Sequence, residues 1–182
     1  SLEAAKYAAP DEFSNLIQGI GGEGLNAFTA YDVTCYMNSF PAYQMERWLT
    51  LYADRLTNPV FRSFQAELEN VFEEYNMYLD DNSTHSRNFI FGKLYEGHAY
   101  ARDIIGYAED LKNPKLRKLI DFYNTWYVPN NMALILVGDF DIEATKPLIE
   151  KTFGKLQAHP LPERTKYPTT AFAQDERYSA KL

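Results

Sequence analysis

The chain has 182 residues, of which 46% are apolar and 24% charged, and its formal net charge is −7 at pH 7. This length suits a single domain with a sizeable core, and the composition is that of a folded protein rather than a disordered one. The acidic balance argues against nucleic acid and an anionic membrane surface as partners. No apolar run approaches the roughly 20 residues of a transmembrane helix. The single cysteine, Cys35, excludes an internal disulfide and a cysteine-built zinc cage.

The sequence pattern in the first third of the chain predicts a helix, a β-hairpin and a second helix. Apolar residues recur on one face over residues 11–20, which predicts a short helix. Two short stretches rich in Thr, Tyr, Phe and Val, 26–30 and 34–39, read as the strands of a hairpin. An apolar stripe over residues 41–56 predicts the second helix.

The clearest periodicity in the chain predicts a longer helix over residues 61–79. Its apolar residues recur at alternating steps of four and three, namely Phe64, Leu68, Val71, Tyr75 and Tyr78. A further helix is predicted over 86–95, followed by a loop over 96–105. The Asn-Pro pair at 113–114 predicts the start of another helix that ends near residue 126.

The last third predicts a strand and a helix. Residues 132–138 form a continuous apolar run bounded by turn residues, which predicts a strand covered on at least one face. Asp141 or Thr145 caps the helix that follows. This order of elements predicts an α+β fold over residues 1–157, a two-layer sandwich of a mostly antiparallel sheet with helices packed on one face. Residues 158–182 are rich in proline and polar side chains, and we interpret them as a linker or the start of a further strand.

Two carboxylates of the long predicted helix are candidates for chemistry. Glu67 and Glu74 are seven residues apart, so about two helical turns separate them and they lie nearly in line. Each directly precedes a residue of the apolar stripe, and therefore lies at its border, where a carboxylate can be half-desolvated. A metal ligand or its hydrogen-bonding partner needs such a position. The alternative is that both are solvated, as Glu69 and Glu73 are expected to be.

No local pattern completes a metal site or marks a nucleophile. The three histidines, His85, His98 and His159, are far apart, and none has a second histidine at ligand spacing. A catalytic zinc needs three protein ligands and an open position for water. Cys35 lies in a predicted strand and is interpreted as a small core residue.

An ordered set of short segments resembles the pitrilysin/insulinase family of zinc metallopeptidases, which includes mitochondrial processing peptidase. The segments are GG (21–22), LNAFTA (25–30), DVTCY (32–36), ADRL (53–56), NPVF (58–61), ELENVFEE (67–74), GHAY (97–100), YVPNNM (127–132), VGD (137–139) and FG (153–154). Each segment alone is a weak signal, but their shared order over about residues 7–157 is specific.

The resemblance implies one homology domain of a protease that is built from several such domains around an enclosed chamber. Family members bind zinc through an H-x-x-E-H motif and a glutamate further along the chain. By position, Glu74 matches that third zinc ligand, and Glu67 matches its acidic partner one helical repeat earlier. The strand that contains Asn26, Ala27 and Phe28 matches the edge that holds an extended peptide through main-chain hydrogen bonds.

The sequence departs from the family pattern because it contains no H-x-x-E-H. In the family this motif lies N-terminal to the segment that this chain resembles, so we expect zinc in the intact parent, and neither bound zinc nor activity in this chain alone. One interpretation is a fragment of a zinc metalloendopeptidase. The alternative is a non-catalytic homologue domain that serves as a peptide-binding or domain-docking module. The retained spacing of Glu67 and Glu74 favours the first.

The resemblance also implies the partners. These are a peptide substrate and sister homology domains or a subunit of the same family. Without an upstream helix, apolar surface would stay uncovered, and such surface favours self-association. We therefore also expect copies of the chain to associate.

Overall fold

Helices and one β-hairpin make up the regular structure of this computed structural model, which describes residues 11–61, 63–167 and 174–180. In chain order the elements are α1 (Glu12–Gly19), β1 (Glu23–Thr29), β2 (Thr34–Ser39), α2 (Met45–Thr57), α3 (Phe64–Leu79), α4 (Asn82–Leu94), α5 (Ala108–Lys112), α6 (Leu116–Trp126) and α7 (Ile142–Thr152). The fold of these residues is therefore of the α+β type.

The chain divides into two compact units. The first contains Ser1–Phe28, Thr34–Arg62 and Arg117–Pro162, and the second contains Thr29–Val33, Ser63–Leu116 and Glu163–Leu182. The hairpin strands, α1, α2 and α7 thus belong mainly to the first unit, while α3, α4 and α5 belong to the second.

The predicted hairpin is confirmed, with a tip at Tyr31 and Asp32. The N–H of Ala30 donates to the carbonyl of Val33 at 2.8 Å, so these two residues face each other at the end of the ladder. Continuing the antiparallel alternation places Ala27 opposite Tyr36, in a pair whose backbone groups point away from the partner strand. The sheet that the described residues form has two strands, so the backbone of Ala27 faces the outer edge of β1.

The core of the first unit forms where α1 and α7 pack on α2. Its buried apolar residues are Ile17, Ile20, Met45, Trp48, Leu49 and Tyr52. Ile17 and Leu49 are fully excluded from solvent. The helices predicted over 11–20 and 41–56 are therefore confirmed, and their apolar faces meet as the periodicity requires.

Close contact between α1 and the following turn brings the hairpin onto this core. A Cβ atom added at Gly22 would lie 2.5 Å from Cγ2 of Ile17 and 2.7 Å from its carbonyl oxygen. The N–H of Gly22 donates to that same carbonyl at 2.8 Å. Only a residue without a side chain allows this approach, so Gly22 fixes where β1 begins.

The second unit is built on α3, which packs against α4 and α5. The helix predicted over 61–79 is confirmed over Phe64–Leu79, although no residue of α3 is fully buried. α4 begins at Asn82, four residues before the predicted start, because the carboxylate of Asp81 accepts hydrogen bonds from the N–H groups of Ser83 and Thr84. Among the described helices, none combines the length and hydrophobicity needed to cross a bilayer.

The strand predicted over residues 132–138 is wrong, since these residues belong to no ladder in the described structure. Leu136 packs against the core of the first unit. Ile135 and Val137 are instead 78% and 93% exposed. The inward and outward alternation is that of an extended chain, but a strand also needs a hydrogen-bonding neighbour, and the described residues supply none here.

The last helix is confirmed, and the structure selects one of its two candidate caps. The carboxylate of Asp141 accepts a hydrogen bond from the N–H of Ala144 at 3.0 Å, and α7 begins at Ile142. Thr145 instead lies within the helix, where its hydroxyl donates to the carbonyl of Asp141. Beyond residue 157, the described residues 158–167 and 174–180 contain no helix or strand.

Candidate functional site

The outer edge of β1 carries the three residues expected to bind a peptide. Asn26, Ala27 and Phe28 are all exposed, and Phe28 is 50% accessible. The N–H of Ala27 donates to Oδ1 of Asn26 at 2.8 Å. The donor that an added strand would use is therefore covered by a neighbouring side chain, and an incoming peptide has to displace that carboxamide.

The two candidate carboxylates lie on α3 in the second unit. Glu67 is in the first turn of the helix, where a negative charge is favoured by the helix dipole. Glu74 lies about 10 Å further along the axis, and its Oε1 accepts a hydrogen bond from Tyr78 Oη at 3.3 Å. Both side chains are exposed. They share one helix as predicted, whereas Asn26, Ala27 and Phe28 belong to the other unit.

The acidic, histidine and cysteine side chains of the described residues do not form a zinc site. A glutamate oxygen is a suitable ligand for zinc, but a catalytic site takes three protein ligands. In residues 11–61, 63–167 and 174–180, no group of three or more His, Cys, Asp or Glu side chains is arranged to hold a metal ion. This part of the chain does not by itself fit a catalytic zinc, and Glu74 supplies at most a single ligand.

The three histidines bind backbone atoms. Nε2 of His85 lies 2.6 Å from a backbone carbonyl oxygen, and Nε2 of His159 lies 2.7 Å from another. Nδ1 of His98 accepts a hydrogen bond from the N–H two residues later at 3.0 Å, which caps a short 3₁₀ turn. Each histidine is therefore hydrogen-bonded to the backbone.

A polar group beside β2 was not identified from the sequence. The hydroxyls of Tyr36 and Tyr127 lie 2.8 Å apart. Burial, and then the hydrogen bond to Tyr127, raise the pKa of Tyr36 well above its usual value. The guanidinium carbon of Arg55 lies 5.0 Å from the centre of the Tyr36 ring and 4.3 Å from that of Phe13. These residues come from four separate segments, so no local pattern could have indicated the group.

Two family models match the sequence. Residues 1–108 match the model described as Insulinase (Peptidase family M16), and residues 115–181 match the one described as Peptidase M16 inactive domain. Together the two models extend over nearly the whole chain.

Proteins named as zinc proteases are similar to this chain in sequence, and a solved protease structure is similar to it in fold. It is 29% identical over 158 residues to the probable zinc protease PqqL of Escherichia coli, which covers 82% of this chain and 17% of that protein. It is 32% identical over 145 residues to the uncharacterized zinc protease YmfH of Bacillus subtilis, covering 78% and 33%. The crystal structure of a protease from Helicobacter pylori matches with a TM-score of 0.76 and 26% identity, covering 87% and 39%. The chain thus spans between 17% and 39% of the length of these proteins.

Proposed function

This chain belongs to the insulinase family of peptidases (family M16), and on that premise we propose that it is a fragment of a zinc metalloendopeptidase that hydrolyses peptides in an enclosed chamber. The proposal includes that the chain alone is inactive. The observation that carries it is the exposed outer edge of β1 at Ala27, because an extended peptide needs such an edge to bind by strand addition.

Peptide binding at this edge follows from the geometry of β1. The backbone of Ala27 faces away from β2. A peptide strand alongside it can therefore accept a hydrogen bond from the N–H of Ala27 and donate one to its carbonyl oxygen. The carboxamide of Asn26 leaves the N–H of Ala27 when the peptide carbonyl takes its place. The exposed ring of Phe28 gives a side chain of the peptide an apolar contact.

The proposal assigns Glu74 as one zinc ligand in the intact protein and Glu67 as its acidic partner. The family pattern and the shared helix α3 support this assignment. Zinc, when bound, polarises a scissile carbonyl and activates water. The contribution of this chain is a carboxylate donor, a second carboxylate that favours the bound cation, and the edge that holds the peptide.

A second candidate function is a non-catalytic homologue domain that binds peptide or docks a sister domain. The match of residues 115–181 to a model described as an inactive domain favours it. The absence of a three-ligand metal group in the described residues is compatible with both candidates. They differ in whether the intact protein binds zinc through Glu74.

The domain organisation extends the same proposal. We place one homology domain at residues 1–157, with 158–182 as a linker or the start of a further strand, and sister homology domains or a family subunit as partners. In the complete domain, a mostly antiparallel sheet carries helices on one face as a two-layer sandwich. The relatives named above, of which the chain matches only 17% and 33%, support the presence of further domains.

Self-association of the isolated chain is proposed through residues 132–137. This uncharged segment is extended and exposes Ile135 and Val137, and it has no paired strand among the described residues. An antiparallel copy centred between residues 134 and 135 would pair the backbone groups of both chains and place the side chain of Ile135 beside that of residue 134 of the copy. Segments of this composition at a free edge favour pairing with another chain.

The test of the peptide edge is the substitution Ala27→Pro in this chain. We expect it to weaken the binding of an extended, fluorescently labelled peptide at least about fivefold, since it deletes one edge hydrogen bond. Fluorescence anisotropy measures the affinity, and circular dichroism checks that the variant is folded. Ala27→Val keeps the N–H and serves as the matched control. Unchanged binding by a folded Ala27→Pro variant would refute strand addition at this position.

A further inference from the structure

Arg55 lies in the last turn of α2, with its guanidinium held near two aromatic rings of the first unit. The guanidinium carbon is 4.3 Å from the centre of the Phe13 ring and 5.0 Å from that of the Tyr36 ring. Contacts of this kind restrict a planar guanidinium to one orientation while leaving its N–H groups available. The side chain is exposed, so a ligand can reach it from solvent.

This guanidinium has no acidic partner among the described residues. The chain has 25 aspartates and glutamates, and the ion pairs of residues 11–61, 63–167 and 174–180 all involve other cations. The adjacent carboxylate of Asp54 instead accepts a hydrogen bond from Asn58 Nδ2 at 2.8 Å. The N–H groups of the Arg55 guanidinium therefore have no carboxylate acceptor among the described residues, although the protein is acidic.

The hydroxyls of Tyr36 and Tyr127, beside Arg55, together have one O–H that is available as a donor. Tyr36 and Tyr127 are 2.8 Å apart at their hydroxyl oxygens, so one O–H donates to the other oxygen and the second O–H stays available. The ring of Tyr123 stacks on that of Tyr127 with centres 4.4 Å apart, which fixes the position of Tyr127. Tyr123 itself donates to the backbone carbonyl of Leu56 at 2.9 Å and is already satisfied.

We propose that Arg55, together with the hydroxyl pair of Tyr36 and Tyr127, forms a binding site for a carboxylate group. A guanidinium donates two parallel hydrogen bonds to the two oxygens of a carboxylate, and the spare hydroxyl adds a third donor. A single cation matches the single charge of a carboxylate. A phosphate dianion would bring twice that charge to a protein whose net charge is −7.

The carboxylate has two possible sources. Tyr36 lies opposite Ala27 in the hairpin register, so an acidic side chain or the C-terminus of a peptide bound at β1 is one source. The other is a carboxylate of the same polypeptide outside the described residues. The site requires neither zinc nor hydrolysis, so it goes beyond the proposed function.

The experiment uses this chain with N-acetylglycine as the probe and N-acetylglycinamide as the neutral control at constant ionic strength. NMR of the arginine Nε–H groups reports on Arg55 directly. We expect a saturable shift of the Arg55 signal with the acid and none with the amide. Equal responses to both compounds, or no response to either, would overturn the proposal.

Variants separate binding from folding. Arg55→Met keeps an unbranched apolar stem and should abolish the response to N-acetylglycine in the Tyr36 and Tyr127 ring signals, while Arg47→Met on the same helix should retain it. Arg55→Lys keeps the charge without the fork and should bind several-fold more weakly. Tyr36→Phe keeps the ring under the guanidinium and should weaken the response of Arg55 several-fold. A full response in a folded Arg55→Met variant would refute the site.

A pair of extended peptides, one with a free C-terminal carboxylate and one amidated, identifies the source. Tighter binding of the acid form that disappears in Arg55→Met assigns the site to peptide carboxylates. Equal binding of both forms, with the response to N-acetylglycine intact, assigns it to a carboxylate of the polypeptide. If a folded Ala27→Pro variant still binds peptide while the Arg55 response persists, the peptide edge fails and the carboxylate site stands.

Discussion

Nε1 of Trp48 donates a hydrogen bond to Oδ1 of Asn38 at 2.9 Å, and this bond joins α2 to β2. The hydroxyl of Tyr52 donates to the same oxygen at 2.7 Å. Both aromatic side chains are 7% exposed, so their polar atoms depend on this one acceptor. The carboxamide of Asn38 thus holds the hairpin, and with it the outer edge of β1, on the core of the first unit.

Substitution of Asn38 by alanine should destabilise the first unit by about 2–4 kcal/mol, because it leaves two buried donors without an acceptor. Urea unfolding followed by tryptophan fluorescence measures the change. Asn38→Asp keeps an acceptor oxygen and should cost less. Asn15→Ala, at an exposed position of α1, is the control and should change stability by less than about 0.5 kcal/mol. An Asn38→Ala variant as stable as the wild type would contradict this role.

Two glycines of the first unit should respond to alanine in opposite directions. Gly22→Ala forces a Cβ atom to within 2.7 Å of the carbonyl oxygen of the buried Ile17, so we expect a loss of about 1–3 kcal/mol. Gly19→Ala lies in α1 with nothing within 4 Å of the new Cβ atom, and should stabilise the helix by about 0.5–1 kcal/mol. Thermal or urea unfolding compares the two, and equal effects would contradict the packing described.

The N-terminus of α4 should depend on pH through Asp81. Side-chain hydrogen bonds from Thr84 and then Ser83 hold the pKa of this carboxyl well below its usual value. The folded pKa is thus below the unfolded one, so the carboxylate stabilises α4 above about pH 3.9 and this contribution is lost as the pH falls towards the folded pKa. We expect the NMR titration midpoint of the Asp81 carboxyl carbon to be depressed. A midpoint at the ordinary value would contradict the cap.

Residues 132–137 should control the association of the isolated chain. Ile135→Lys places a charge on the exposed side of this segment and should shift the chain towards monomer in sedimentation velocity. Leu136→Lys is the informative comparison, since Leu136 packs against the core and its replacement should unfold the first unit instead. A wild-type chain that stays strictly monomeric at high concentration would count against association through this segment.

The elements that the sequence predicted correctly are those determined by neighbouring residues. The apolar repeat of α3 and the hairpin predicted over residues 26–39 depend on residues close in the chain. The failed strand at 132–138 depends on a partner strand, and composition alone cannot supply one. The early start of α4 follows from the side chain of Asp81, which accepts hydrogen bonds from the N–H groups of Ser83 and Thr84 and so caps the helix.

Some residues of the candidate site could be predicted from local sequence, and others could not. The carboxylates of Glu67 and Glu74 were placed correctly on one helix because helical spacing is a local property. The group around Arg55 was not predicted, since its side chains come together only when α1, β2, α2 and the residues after α6 pack.

The proposed metallopeptidase function requires that Glu74 is a zinc ligand in the intact protein. Its most direct test is the zinc content of the full-length protein carrying Glu74→Gln, measured by atomic absorption beside Glu73→Gln. Glu73 lies on the same helix but points about 100° away, so its variant should keep both zinc and peptide hydrolysis. We predict that Glu74→Gln loses most of its zinc and its hydrolytic activity. Zinc content equal to the wild type in Glu74→Gln would contradict the account.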